Sequence, residues 1–172
     1  HFFCRSEDCR FSTEDNGLEW YLSQFGSGSH GKIKGELTTD YMYFDYVLDC
    51  LHKLNKDFKI VILLRDPVYR AYSAYWMWKR HNAKLMSFGD MIRGEGNSLL
   101  GRGLYFRQIN PYYDRFGPEK IRTYIYEKIV KNPEEFAESI YKFIGVNPGF
   151  RPRCLRKQVA ETKIYPGQYG RI

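Results

Sequence analysis

The chain has 172 residues, of which 43% are hydrophobic and 17% aromatic, and it carries a formal net charge of +7. This length fits one domain with a sizeable core, and this composition argues against a disordered chain. The positive charge favours an anionic partner, namely a nucleic acid, a nucleotide or an acidic polymer, without choosing among them.

The four cysteines and the chain start carry little functional information. Cys4, Cys9, Cys50 and Cys154 show no spacing suited to zinc, and no metal is expected. Cys4 and Cys9 could pair in an oxidising compartment, or all four are ordinary thiols. No segment has the length of a membrane span and no signal peptide is visible. Because the chain begins with His1 rather than Met, we expect a fragment.

The first half of the chain predicts alternating strands and helices. The opening HFF is read as the end of a strand, and the spacing of apolar residues predicts a helix over 17–25. A short strand follows over 32–37 and a helix over 43–54. The run FKIVILL, residues 58–64, is apolar without alternation, which is typical of a parallel strand covered on both faces.

The second half of the chain carries clear helix signals. Asp66 is a candidate N-cap with Pro67 at the first helical position, and this helix should end near His81. A further helix is predicted over 101–116, kinked or divided at Pro111.

A last strand and helix complete the pattern. The segment 121–126 reads as a strand. The helix after it has a cap at Asn132, Pro133 at its start, a possible capping box with Glu135, and Gly145 at its end. This alternation predicts an α/β fold with a mainly parallel sheet flanked by helices, in a single domain over 1–172.

Arg65 is the first candidate for function. Ligands of open parallel sheets gather beyond the carboxyl ends of the strands, and Arg65 directly follows the strand IVILL. Its planar guanidinium suits two-point binding of a phosphate. Ser73 lies about two turns into the following helix, so both side chains could reach one phosphate. Alternatively, Arg65 pairs with a carboxylate and Ser73 is an ordinary helix residue.

The segment VILLRDPVYRAYSAY resembles the second cofactor motif of sulfotransferases that use 3′-phosphoadenosine-5′-phosphosulfate (PAPS), with Arg65 and Ser73 in the matching places. Three other stretches resemble this family too. HFF followed by GLEWY, and GELTTDYMY (35–43), are similar to segments of heparan sulfate sulfotransferases and their bacterial relatives. The stretch 103–146 resembles the next section of the family.

The resemblance implies a P-loop-NTPase-like sulfotransferase fold, present in part, and an enzyme that moves a sulfuryl group from PAPS to a hydroxyl or amine of a carbohydrate-type acceptor. Arg65 and Ser73 would hold the 3′-phosphate. Tyr105 would pack near the adenine, or is a core tyrosine, and Lys163 or Arg171 would lie near the nucleotide. The family's loop for the 5′-phosphosulfate and its last helix are expected to lie outside this chain. Relatives work in the Golgi lumen and in bacterial cytoplasm, so the compartment stays open.

The catalytic candidates are His1 and Glu36. His1 matches the family's site histidine, or is an ordinary terminal residue. Glu36 is a candidate acid/base or substrate contact, or a structural carboxylate at a strand end. The family's aspartate after HFF is Cys4 here and its frequent lysine after Gly-Glu is Leu37, which puts heparan sulfate specificity in doubt.

Two further sequence features bear on anion binding. The segment 26–32 satisfies GxxxxGK but runs from helix to strand, the wrong order for a phosphate loop. Basic residues at the end of the motif helix form either a solvated face or a docking patch for an acidic polymer: Lys79, Arg80, His81 and Lys84. Alternative functions are a nucleic-acid-binding module, although no nucleic acid is expected, and a nucleotide or polyol kinase, against which the absent Walker sequence argues.

Overall fold

The structure is a computed structural model that describes residues 2–5, 7, 14–26, 31–54, 57–82, 84, 86–94 and 98–155. In chain order a 3₁₀ turn (Glu14–Asn16) and the following elements occur within these ranges: α1 Gly17–Ser23, α2 Asp45–Lys53, β1 Ile60–Leu64, α3 Pro67–His81, α4 Phe88–Arg93, α5 Ser98–Gly101, α6 Tyr105–Phe116, β2 Ile121–Ile125, α7 Tyr126–Lys131 and α8 Pro133–Ile144.

Strands β1 and β2 are neighbours in a parallel two-stranded sheet. At the start of β1 the Ile60 amide donates to the Lys120 carbonyl at 2.8 Å. Both strands pass almost directly into helices, β1 into α3 and β2 into α7. The α/β class with a parallel sheet, predicted from the sequence, is confirmed.

The residues group into two compact units. The first comprises His1–Ile62 and Leu104–Thr123, and the second comprises Leu63–Gly103 and Tyr124–Ile172. The single domain over 1–172 stays a prediction.

Each unit has its own apolar cluster. In the first unit Phe3, Cys4, Tyr21 and Val47 are buried together, and the rings of Phe2 and Tyr21 stack with centroids 4.5 Å apart. In the second unit one cluster of buried residues comprises Ala71 and Tyr75 of α3 and Leu99 of α5. These three residues pack against Trp76, Trp78, Phe88 and Met91 among others. The aromatic-rich composition therefore serves these two clusters, in addition to any role in ligand binding.

Strand β1 is not covered on both faces in the part of the chain that the structure describes. Ile62 is buried, whereas Leu63 is 50% exposed. Because successive side chains of a strand point to opposite faces, one face of β1 is packed at this point and the other is open. The prediction of a strand buried on both sides was wrong for Leu63.

Three further expectations from the sequence were wrong. Residues 2 and 3 of the HFF stretch form a turn rather than a strand end, and residues 32–37, all described, belong to no strand. Gly35 lies in the middle of the latter segment, where a glycine weakens a strand. The helix expected over 101–116 is interrupted between Gly101 and Tyr105, while α6 continues through Pro111.

Local capping signals set the bounds of α3 and α8. Asp66 accepts hydrogen bonds from the amides of Val68 (2.9 Å) and Tyr69 (3.0 Å), and α3 begins at Pro67. Asn132 accepts from the Glu135 amide at 3.3 Å and donates to the Glu135 carboxylate at 2.8 Å. These contacts confirm both predicted helix starts.

Helix α8 ends as the sequence predicts. Gly145 follows Ile144 with a φ of 81°, in the left-handed region that favours glycine. Its amide donates to the Tyr141 carbonyl at 3.0 Å, which closes the last turn.

Replacing the α8 cap should destabilise the protein. Asn132→Ala removes the acceptor for the Glu135 amide, and we expect the free energy of unfolding to fall by about 1 kcal/mol. Urea unfolding followed by circular dichroism measures this change. Lys131→Ala, at an exposed position one residue earlier, is the control and should change stability by less than about 0.5 kcal/mol. Equal stability of Asn132→Ala and the natural protein would contradict the role of the cap.

Candidate functional site

Arg65 lies where the sequence predicts, as the first residue after β1. Its side chain is half-buried, and its Nε atom is buried from solvent. The centre of the guanidinium lies 5.4 Å from the centroid of the Tyr126 ring, and Tyr126 is the first residue after β2. The parallel pairing of the strands thus brings these two side chains together at the carboxyl edge of the sheet.

The turn after Arg65 is held by a second contact. The Asp66 amide donates to Oε1 of Glu127 at 3.0 Å, and Glu127 is the second residue after β2. The Asp66 side chain caps α3 at the same time. One residue therefore connects the end of β1, the start of α3 and the start of α7, which fixes the backbone from which Arg65 projects.

Ser73 lies in α3 and is half-buried. Its helix is anchored to α5, because the Arg70 guanidinium donates to the Leu99 carbonyl. Close packing also occurs at the helix start, where a Cβ atom at Gly103 would lie 3.1 Å from Cβ of Pro67. The convergence of Arg65 and Ser73 on one phosphate stays a prediction.

Glu36 belongs to a hydrogen-bonded cluster in the first unit. Its carboxylate lies close enough to the hydroxyls of Tyr21 and Tyr41 to raise the pKa of both, by its charge and by hydrogen bonding. The Phe3 amide donates to the Tyr41 hydroxyl at 3.2 Å. Glu36 itself is exposed. An exposed carboxylate beside two tyrosines is suited to accept a hydrogen bond or a proton from a ligand.

The tyrosines of this cluster stay protonated over a wide pH range. Burial raises the pKa of Tyr21, and the charge and hydrogen bond of Glu36 raise it further. Burial also raises the pKa of Tyr41, where the Phe3 amide acts in the opposite direction and Glu36 adds to the increase. The pKa of Tyr112 is raised by burial and by the charge of Asp45, and its hydroxyl donates to the Tyr41 carbonyl at 2.8 Å.

The remaining predicted site residues are Tyr105, His1 and Lys163. Tyr105 is the half-buried first residue of α6, and its place near an adenine stays a prediction. His1 and Lys163 lie outside the described residues, as does Cys9. Residues 27–30 of the rejected glycine loop also lie outside them.

The structure also describes the basic end of α3. Arg80, His81 and Lys84 are exposed there, whereas Lys79 is half-buried. Among the described residues no cluster of three or more His, Cys, Asp or Glu side chains could hold a metal ion. No helix in the same part of the chain is long and apolar enough to span a membrane.

Sequence reasoning missed Tyr21, Tyr126 and Glu127. Tyr21 lies in the GLEWY stretch, which indicated a helix and a family resemblance but no role for this residue. Tyr126 and Glu127 follow a strand in the same way as Arg65 and Asp66 do, so the rule that ligands gather at strand ends could have found them.

Comparison with known proteins places the chain in a family. The Sulfotransferase family matches residues 11–150, and the chain therefore belongs to this family. Heparan sulfate glucosamine 3-O-sulfotransferase 3A1 of Mus musculus is 25% identical over an alignment of 154 residues, which covers 85% of this chain and 37% of that protein. Heparan sulfate glucosamine 3-O-sulfotransferase 5 of Homo sapiens is 23% identical over 196 residues, covering all of this chain and 55% of that protein.

A solved structure agrees with this assignment. The crystal structure of a sulfotransferase from Alicyclobacillus acidocaldarius matches with a TM-score of 0.71 and 27% identity, over 85% of this chain and 62% of that chain. The sulfotransferase fold predicted from the sequence is thereby confirmed. The chain spans 37% and 55% of the two curated relatives described above.

The buried tyrosines predict a loss of stability at alkaline pH. Tyr21, Tyr41 and Tyr112 have raised pKa values in the folded protein, while an unfolded tyrosine has a pKa of about 10. A raised folded pKa contributes stability that is fully present below the unfolded pKa and is lost as the pH rises above it. We expect the free energy of unfolding to decrease steadily above pH of about 10.

Urea unfolding at a series of pH values measures this slope. Tyr112→Phe removes one of three such groups and should flatten the slope by roughly one third, if the three contribute equally. Tyr69→Phe, at a side chain that is 64% exposed, should leave the slope unchanged. If Tyr112→Phe keeps the slope of the natural protein, the buried hydroxyl is not the cause of the alkaline transition.

Proposed function

We propose that this chain carries the 3′-phosphate side of the donor site of a PAPS-dependent sulfotransferase. The observation that carries the proposal is Arg65, a half-buried guanidinium at the carboxyl edge of a parallel sheet, directly before a capped helix that contains Ser73. A guanidinium binds a phosphate by charge and by two parallel N–H donors, and a serine hydroxyl adds a third donor. Membership of the sulfotransferase family supports this assignment.

The remaining donor contacts are proposals from the family pattern. Tyr105 would pack near the adenine and Lys163 would lie near the nucleotide. Bound PAPS supplies the sulfuryl group, which leaves the 5′-phosphate oxygen as an acceptor atom bonds to sulfur in line. The work of the protein is to position donor and acceptor and to neutralise the charge that develops on the leaving oxygen. The proposal invokes no metal ion.

We propose a hydroxyl or amine of a glycan as the acceptor. The two curated relatives described above bear names that specify heparan sulfate glucosamine, and this similarity at 23% and 25% identity supports a carbohydrate class. Cys4 and Leu37 depart from the pattern of the heparan sulfate enzymes, so the particular glycan is left open.

Glu36 is proposed to act on the acceptor side, together with His1. The Glu36 carboxylate is exposed and lies beside the hydroxyls of Tyr21 and Tyr41. In the proposed role Glu36 accepts the acceptor proton or a hydrogen bond from the acceptor hydroxyl.

Arg65→Ala tests the donor site. We expect the dissociation constant for adenosine 3′,5′-bisphosphate to rise at least about tenfold, because hydrogen bonds to a charged group are worth roughly 1.5–3 kcal/mol each. Isothermal titration calorimetry measures the change. Arg93→Ala, at an exposed arginine of α4 that pairs with Asp90, is the matched control. Unchanged bisphosphate affinity in Arg65→Ala would remove the basis of the proposal.

Glu36→Gln tests the acceptor side. The amide keeps the size of the side chain but accepts a proton poorly. In protein that includes the family's 5′-phosphosulfate loop, we therefore expect transfer of labelled sulfate from PAPS to a glycan panel to drop by roughly 100-fold or more. Bisphosphate affinity should stay within about twofold, since Glu36 is assigned no donor contact. Glu19→Gln, at an exposed position of α1, serves as control. Full transfer by Glu36→Gln would exclude Glu36 as the base.

A further inference from the structure

The two strand ends of the sheet make two successive contacts. The first residue after β1, Arg65, lies with its guanidinium 5.4 Å from the ring centroid of Tyr126, the first residue after β2. The second residue after β1, Asp66, donates its amide to Glu127, the second residue after β2. Both contacts lie within the second unit, and both act on the segment that presents Arg65.

The Tyr126 contact restrains the guanidinium. A cation within about 6 Å of a ring centroid is attracted by the negative face of the aromatic ring. Arg65 has a long side chain that loses much conformational freedom when it grips a ligand. A ring that holds the guanidinium before binding reduces this loss, and preorganisation of this kind raises affinity without a new ligand contact.

The Glu127 contact restrains the backbone. A carboxylate beside a phosphate site lowers affinity by charge repulsion, so charge gives no reason for an acid at this position. Its Oε1 atom accepts from the Asp66 amide at 3.0 Å, which holds the turn between β1 and α3. A glutamine could accept the same hydrogen bond without the charge.

We propose that Tyr126 and Glu127 are positioning residues for the nucleotide 3′-phosphate, Tyr126 by holding the Arg65 guanidinium and Glu127 by fixing the turn from which Arg65 projects. This inference rests on the proposed donor site. It assigns no ligand contact to either residue. Their effect should therefore depend on Arg65 and on the 3′-phosphate.

Two pairs of variants separate geometry from charge. Tyr126→Leu removes the aromatic face and Tyr126→Phe keeps it. Glu127→Ala removes the acceptor for the Asp66 amide and Glu127→Gln keeps it. Affinity is measured by calorimetry for adenosine 3′,5′-bisphosphate and for adenosine 5′-phosphate, which lacks the 3′-phosphate.

The expected pattern is a selective loss. Tyr126→Leu and Glu127→Ala should weaken bisphosphate binding by roughly 3- to 30-fold and leave the monophosphate within about twofold. Tyr126→Phe should bind within about twofold of the natural protein. Glu127→Gln should bind equally well or more tightly, because it removes a negative charge near the phosphate.

Controls decide among the outcomes. Tyr141→Leu makes the same substitution at an α8 tyrosine whose ring contacts Phe150, and it should leave both affinities unchanged. Thermal unfolding shows whether each variant is folded. If Glu127→Ala does not fold, Tyr126→Leu and Glu127→Gln still test the inference. A double variant with Arg65→Ala should show little further loss from Tyr126→Leu.

Three results would overturn the inference: natural bisphosphate affinity in Tyr126→Leu, equal losses for both nucleotides, or a loss in Glu127→Gln as large as in Glu127→Ala. If Arg65→Ala itself leaves bisphosphate affinity unchanged, the proposed donor site fails. If Arg65→Ala weakens binding while Tyr126→Leu and Glu127→Ala do not, only the positioning roles fail.

Discussion

The parallel pairing of β1 with β2 is the constraint on which the candidate donor site depends. Parallel strands end at the same edge of a sheet, so the residues that follow them become neighbours although they are far apart in the chain. Here the pairing brings Arg65 to Tyr126 and Asp66 to Glu127. A change of register would move each residue to a different partner, and the guanidinium would lose both its aromatic neighbour and the anchored turn behind it.

Local chemistry at the strand end then determines where the hydroxyl of Ser73 lies. Asp66 caps α3 and Pro67 fixes its first backbone angle, so the helix begins directly after Arg65. The distance in sequence from Arg65 to Ser73 is thereby converted into about two helical turns. Packing of Ala71 and Tyr75 with Leu99 sets which side of α3 is buried, and this in turn sets the direction of Ser73.

The sequence was most successful for the features that depend on residues close together in the chain. The bounds of α3 and α8 follow from the capping residues Asp66 and Asn132, and the position of Arg65 follows from the end of an apolar strand. Contacts between segments that are far apart in the chain could not be predicted from the sequence. Tyr126 with Arg65, and Tyr21 with Glu36, depend on how strands and turns meet in space. The strand predicted over 32–37 was wrong for the same reason, because a strand requires a pairing partner that its own residues do not encode.

The hydrogen bonds around α3 bear on how this edge of the sheet could bind an anion. A helix N-terminus attracts phosphate through its unpaired amides. In this protein the amides of Val68 and Tyr69 donate to Asp66, and the amide of Asp66 donates to Glu127. A phosphate at this position would therefore have to displace acidic side chains to reach those amides. The proposed site would therefore bind a phosphate through the side chains of Arg65 and Ser73 rather than through the amides at the start of α3.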